Sequence, residues 1–250
     1  MTKKTNVDRS GWFEDPSLDH GPDSGNHHRA WRVVLLGGPG VGKGTQGELL
    51  CRRLGICHLS TGDLFRAAGS LKESDQSAAV AEAMQCMRRG ELVPDSTVWQ
   101  MVRERDDSLR RKRGFLLDGF PRTLPQAEEL KQFLDDEKRP LSAVVDYEMP
   151  PSEIVMRLSG RRICENCRAV FHVAWRPPQI EGVCDVCGGR LYQREDDHAS
   201  SIAVRLEVYK HSTAPLIAFY KNLGLLTPVD AVGTSEEVHA RTMAALQARA

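Results

Sequence analysis

Residues 37–46, GGPGVGKGTQ, set Lys43 directly behind four glycines and a proline. A run of this kind that leaves a strand and opens a helix turns several backbone N–H groups and the positive helix end toward one point, which suits a polyphosphate. Gly37, Gly40 and Gly42 would let the backbone curl, and Lys43 could bridge terminal phosphates. The usual phosphate loop carries Ser or Thr immediately after its Lys, where the hydroxyl reaches magnesium. Here Gly44 intervenes and the hydroxyl is that of Thr45. One rival is a Gly-rich structural turn, for which a Lys at the helix start is a poor choice. The other is a dinucleotide fingerprint spelled by Gly42, Gly44 and Gly47, with Asp63 about 20 residues on. Its first glycine should end the strand, whereas the apolar run ends at Leu36, six residues before Gly42. Position therefore favours the phosphate loop.

Phosphoryl transfer asks for two substrates held in line and cations spread over the moving oxygens. Arginines stand where such a site would want them. Arg66 follows STGD (60–63), and DGFPRT (118–123) brings Asp118, Gly119 and Arg122 to the carboxyl end of a strand. Arg161 lies in GRR (160–162), Arg194 in QREDD, and Arg205 follows. A single Arg is most often a solvated surface group, but five at loop edges and hinges form a pattern. A second chemistry sits between them: Cys164, Cys167, Cys184 and Cys187 spell C-x2-C, sixteen residues, C-x2-C, a zinc spacing. Four thiolates would close a tetrahedral site, leaving a structural role. Two disulfides are the alternative, disfavoured in a reducing cytosol. A zinc ribbon could instead read nucleic acid, yet between Cys164 and Cys187 Glu165, Glu181 and Asp185 face only Arg168 and Arg176, with no basic stripe.

These groups need a scaffold, and the periodicity supplies one. WRVVLL (31–36) reads as a buried strand, followed by a helix with Leu49, Leu50, Arg53 and Leu54 at helical spacing and Gly55 closing it. Strand 56–60 and a helix from Asp63 to Ala68 come next, then a helix from Ser74 to Arg89 and one opening at Pro94 and Asp95. Strand 114–118, helix 126–134, strand 142–149, helix 151–158, a long helix over 201–220, strand 225–230 and helix 236–248 complete the series. Alternation of this kind predicts an α/β fold with a parallel sheet covered on both faces, its ligands beyond the carboxyl ends of the strands. Residues 162–197 break the pattern with short apolar runs, prolines and glycines, and are expected to form a small β-rich insert. Cys51, Cys57 and Cys86 fall in helix or strand patterns and are expected to be plain buried residues.

Composition narrows the function classes. At 250 residues the chain suits one large domain or a domain with an insert, burying about 75% of its unfolded surface. Lys plus Arg and Asp plus Glu are equal at 34 each, so no whole-molecule field draws it to nucleic acid or an anionic membrane. No apolar run approaches the ~18 residues of a membrane span, and no signal peptide opens the chain, so a cytoplasmic protein is expected. Residues 1–30, rich in Asp, Gly, Pro, Ser and His, are expected to be a disordered tail; their acids argue against an organelle transit peptide.

GGPGVGKGTQ, STGDLFR (60–66), GELVPD (90–95), LLDGFPRTLPQAEEL (116–130), RLSGRRIC (157–164) and LYQREDD (191–197) resemble, in order and spacing, the successive signatures of the adenylate kinases, nearest to the long form with a zinc-bearing lid. The resemblance covers the chain from residue 31 onward. It implies a P-loop three-layer fold with a five-stranded parallel sheet over 31–250, a helical AMP-binding insert at 60–95 and a small β-rich zinc lid at 161–198. The implied reaction is reversible, magnesium-assisted transfer from ATP to AMP giving two ADP, by a monomer that engages neither nucleic acid nor membrane. A same-fold kinase for UMP or CMP is the alternative, although Thr61 matches the adenine-selective pattern. By the same resemblance, Gly38, Pro39, Gly40, Val41, Gly42, Lys43, Gly44 and Thr45 would wrap the ATP phosphates, and Arg157 would lie against the ATP base. Thr61, Arg66, Gly119, Arg122 and Gln126, with the main chain of Glu91 to Val93, would bind AMP. Arg161, Arg194 and Arg205 would clamp the moving phosphoryl group, Arg194 and Arg205 also reaching AMP, and Asp118 would hold water around Mg2+. Cys164, Cys167, Cys184 and Cys187 would hold Zn2+. The segments AAGSLKESDQ (67–76) and VDAVGTSEE (229–237), the latter two residues longer than the common form, depart from the pattern.

Overall fold

Along the first strand, Val33 and Leu35 point to one side while Val34 and Leu36 point to the other, and all four are at most 2% exposed. Burial on both faces is what a strand between two helical layers requires. A computed structural model describes residues 30–69, 78–103 and 114–249. The expected tail lies outside the described residues except for Ala30, as do 70–77, which include most of the atypical segment 67–76 and the start of the helix expected from Ser74.

Strands β1 (Trp31–Gly37), β2 (Cys57–Ser60), β3 (Gly114–Asp118), β4 (Ala143–Glu148) and β8 (Leu226–Asp230) form a five-stranded parallel sheet in the order β2-β3-β1-β4-β8. Connections leave β1 toward the β3 side and later cross to β4 on its other side, which opens a crevice at the carboxyl ends. One apolar layer joins Val34 and Leu36 to Phe65, Trp99, Phe120 and Leu216. The other joins Val33 and Leu35 to Leu50, Ile154, Leu158 and Val238. The three-layer α/β fold is thereby present.

Helices α1 (Lys43–Leu54), α2 (Thr61–Gly69), α3 (Ala78–Arg89) and α4 (Asp95–Arg103) precede β3, and α5 (Leu124–Asp136) and α6 (Pro151–Ser159) flank β4. Helix α5 starts two residues before the expected 126 because Thr123 caps it, its hydroxyl accepting from the Gln126 N–H, with Pro125 in the first turn. After α6, β5 (Arg161–Cys164), β6 (Val170–His172) and β7 (Leu191–Tyr192) make an antiparallel sheet in the order β6-β5-β7. This small sheet fits the expected β-rich insert.

The long helix expected over 201–220 is broken. It divides into α7 (Ala199–Val208), a π-helical turn (Tyr209–Thr213) and α8 (Pro215–Asn222), with α9 (Ser235–Gln247) closing the chain. Pro215 has no N–H to give and its ring crowds the preceding turn, so the backbone widens there, the Ala214 N–H reaching back to the Tyr209 carbonyl at 2.8 Å. Of the cysteines expected in the core, Cys86 is buried but Cys51 and Cys57 are only half-buried, because Cys51 flanks the buried stripe of α1 and Cys57 opens the edge strand β2.

Candidate active site

The chain leaves β1 at Gly37 and enters α1 at Lys43. Gly42, at φ 104°, supplies the left-handed turn at the helix start and leaves α1 without a side-chain cap. The first-turn N–H groups are therefore available to an anion. Gly40 needs its missing side chain, since a Cβ there would lie 2.7 Å from Leu158. The Lys43 ammonium donates to the carbonyls of Gly37 and Gly38 at 2.6 and 2.7 Å. Burial lowers its pKa to about 8; Asp118 opposes this, while Arg122 and Arg205 push it further down.

A cavity of about 420 Å³ opens over this loop at the carboxyl ends of the sheet. Lining it are Pro39, Gly40, Gly42, Lys43, Gly44, Thr45, Thr61, Arg66, Glu91, Val93, Asp118, Gly119, Arg122, Gln126, Arg157, Arg161, Arg194 and Arg205. Gly38 and Val41 do not line it, and Val41 is 1% exposed with its side chain in the core against Leu158 and Leu35. Glu91 gives its carboxylate to Arg89 at 2.8 Å. Arg157 donates to the carbonyls of Ala231 and Gly233 at 3.2 and 3.3 Å, so the atypical 229–237 segment is held against it.

Three acids given no site role in the sequence organise the cations. Asp197, whose side chain is fully buried, receives a two-pronged bond from Arg161 at 2.7 and 2.6 Å and also meets Arg205 at 3.2 Å. Arg205 contacts the Asp196 carboxylate at 3.1 Å, and Arg66 donates to Asp63 at 2.6 Å. Burial works against the charge of Arg66, but Asp63 overcomes it and raises the pKa. For Arg122, Arg194 and Arg205 the balance runs the other way: burial lowers each pKa, with Arg205 adding to the effect at Arg122, Arg66 at Arg194 and Arg161 at Arg205. The buried Nε of Arg194 has no hydrogen-bond partner among the described residues. Among the described residues, six cations, Lys43, Arg66, Arg122, Arg161, Arg194 and Arg205, are thus set against five carboxylates, Asp63, Asp118, Asp146, Asp196 and Asp197. The surplus is a demand for a polyanion.

A family model described as "Adenylate kinase" matches residues 35–225. The chain belongs to the adenylate kinase family. It is 48% identical over 216 residues to an adenylate kinase of Carboxydothermus hydrogenoformans, covering 86% of this chain and 99% of that relative. A Streptomyces avermitilis adenylate kinase is 49% identical, covering 86% of this chain and 97% of its own. One from Caldicellulosiruptor saccharolyticus is 50% identical over 82% of this chain and 93% of its own. The activity is accordingly phosphoryl transfer between ATP and AMP, in the upkeep of adenine nucleotide levels. Adenylate kinases take ATP with Mg2+.

Beside the phosphate loop, Asp118 ends β3 with its Oδ2 3.6 Å from His58 Nε2. Burial would raise the Asp118 pKa, but His58 and Lys43 reverse this and hold it below its ordinary value. His58 is 8% exposed and packs on Gly47, where a Cβ would lie 2.6 Å from Nε2. Its signal in the sequence, one polar residue between Cys57 and Leu59, is indistinguishable from that of a solvated one. Arg122 donates from Nε to the Gly119 carbonyl at 2.8 Å, and its own carbonyl accepts from Thr213 Oγ1 at 2.9 Å, so the π turn buttresses it. Thr61 donates to Gly119 at 3.0 Å. Gln126 and Asp95 are bonded at 2.6 Å.

In the small sheet, the Sγ atoms of Cys164, Cys167, Cys184 and Cys187 all lie within 4.8 Å of one another. All seven cysteines are thiols. Cys164–Cys187 and Cys167–Cys184 approach to 3.4 and 3.5 Å. A tetrahedron with metal–sulfur bonds of about 2.3 Å has edges near 3.8 Å, so the donor set fits a zinc-sized ion. Bonds to backbone N–H at Gly189, together with the neighbouring thiols, lower the Cys187 pKa to about 7. The insert's own core holds little beyond Phe171, Leu191, Cys164 and Cys184, with Cys167 packed against them and Cys187 exposed. No helix among the described residues is long and apolar enough to cross a membrane.

Proposed function

We propose that this chain phosphorylates AMP from MgATP, reversibly, by direct in-line transfer within the 420 Å³ cavity. The observation that carries the reading is the convergence of Lys43, Arg122, Arg161, Arg194 and Arg205 on one space between an uncapped helix start and the DGFPRT loop. The ATP phosphates lie along residues 38–45 and its base beside Arg157. AMP lies against Thr61, Arg66, Gly119, Arg122, Gln126 and the main chain of Glu91 to Val93. A phosphate oxygen of AMP forms a bond to the γ-phosphorus of ATP as the bond to the β,γ-bridging oxygen breaks, and ADP leaves from both sides. The arginines spread the charge of the transferring group, and the bonds of Arg161 to Asp197 and of Arg205 to Asp196 and Asp197 fix the direction of those two beforehand. Asp118, kept ionised beside Lys43 and His58, orders water around the magnesium of the substrate.

Residues 161–198 act as a lid whose closure excludes water, the competing acceptor. Zn2+ held by the four cysteines fixes the fold of that lid and takes no part in transfer. The reading is tested by offering AMP, UMP, CMP and GMP as acceptors with MgATP and measuring ADP. AMP is expected to lead by at least tenfold in kcat/KM; a lead for UMP or CMP would assign the fold to a pyrimidine kinase.

A further inference from the structure

Gln126 is 2% exposed and reaches the cavity, yet its carboxamide spends only half of its hydrogen-bonding capacity on the protein. Oε1 accepts from the Arg122 N–H at 2.8 Å, and Nε2 donates to Asp95 Oδ1 at 2.6 Å. One lone pair and one N–H remain. Their order cannot be exchanged at low cost. Turning the amide over would set N–H against the Arg122 N–H and carbonyl against the Asp95 carboxylate.

Asp95 is itself tied down. Its Oδ2 accepts from Thr123 Oγ1 at 2.8 Å, and the same hydroxyl caps α5 by accepting from the Gln126 N–H. Asp95 opens α4, whose Trp99 packs edge-on against Phe120 of the DGFPRT loop, with ring centroids 5.0 Å apart. The carboxylate and the carboxamide it holds are thus joined through both side chains and both elements.

We infer that Asp95 is the positioning residue that sets acceptor-base selectivity. It locks Gln126 so that the unspent lone pair and N–H face the cavity as a fixed acceptor–donor pair. An adenine edge matches this pair, because its amino group donates and N1 accepts. A hypoxanthine edge has the same shape with the pattern inverted, its oxygen accepting and N1 donating, and is rejected because a buried polar pair would go unmade. The inference rests on the placement of AMP proposed above.

The test measures kcat/KM for AMP and IMP with saturating MgATP in the full-length protein and its D95A, D95N, Q126A and D95A/Q126A variants. In D95A no fixed acceptor faces Gln126 Nε2, the amide is free to turn over, and the AMP-to-IMP preference is expected to fall about tenfold. D95N should keep most of the preference, because its amide oxygen can still accept from Gln126 Nε2 while its N–H donates to Thr123 Oγ1. The D95A loss should lie in the KM for AMP, with the KM for ATP unchanged, and D95A should add nothing once Gln126 is gone. A preference kept within twofold in D95A, an equal loss for AMP and IMP, or an undiminished effect of D95A in the Q126A background would each overturn the assignment. If D95A does not fold, D95S, too short to reach Gln126, reads the same ratio. A wild-type protein that leaves AMP unphosphorylated would refute the AMP placement, whereas one that uses AMP while D95A keeps its selectivity would refute only the role of Asp95.

Discussion

Asp146 illustrates what the site costs at the scale of one residue. It sits on β4 beside the phosphate loop, 1% exposed, with Oδ1 lacking a partner among the described residues. Burial, then Glu148, raises its pKa to about 6 from 3.8, and Lys43 only partly opposes the shift. Because the folded pKa lies above the unfolded one, the cost of ionising Asp146 is absent below about pH 4 and complete above about pH 6. D146N should therefore stabilise the protein at pH 8 by an amount on the order of 2 kcal/mol, with the gain disappearing as pH falls toward 4. Chemical denaturation of both proteins at the two pH values checks this; equal stability at pH 8 would show the carboxylate to be compensated. The sequence announces Lys43 and the arginines because their motifs are local. It conceals Asp146, Asp63, Asp196 and Asp197, since nothing in a lone acid's neighbours says that it will be buried against a cation from another element.

At the scale of elements, the junction of α6 and the lid turns on Gly160 and His172. The Nδ1 of His172 accepts from the N–H groups of Ala174 and Trp175 at 3.1 and 3.3 Å, so the neutral ring carries its proton on Nε2 and gives it to the Met156 carbonyl at 3.1 Å. Trp175 stacks on the ring with centroids 4.0 Å apart. A Cβ at Gly160 would lie 2.2 Å from Nε2, although the φ of −87° there suits any residue. G160A should thus displace His172, loosen the lid from α6 and lower kcat about tenfold with little change in far-ultraviolet circular dichroism, which steady-state assay and spectra would test. Strand and helix positions were largely legible from periodicity, because each strand's burial and each helix's apolar stripe repeat over several residues. The long helix over 201–220 was not, since its apolar spacing continues through the single Pro215 that widens it. On α1 the buried positions are Gln46, Gly47, Leu50 and Leu54, not Leu49 and Arg53, because packing on His58 and on the first residue of α9, whose carbonyl accepts from Gln46, selected a polar and a small residue for the inner face.

The whole molecule divides its stability between a sheet with two thick apolar layers and an insert with almost none. Phe171, Leu191, Cys164 and Cys184 are the insert's core, whereas among the described residues twenty and eighteen buried residues pack the two faces of the main sheet. Stripping metal with a strong chelator should therefore unfold the insert first, exposing thiols to titration and lowering Tm, while the core transition persists. A single unchanged transition after complete metal removal would make the cysteine cluster dispensable. The central claim, however, is that one cavity holds two adenine nucleotides for direct exchange. It is tested most directly by giving the protein ADP and Mg2+ alone. The account predicts ATP and AMP in equal amounts with no inorganic phosphate; AMP accompanied by phosphate, or no reaction at all, would contradict it.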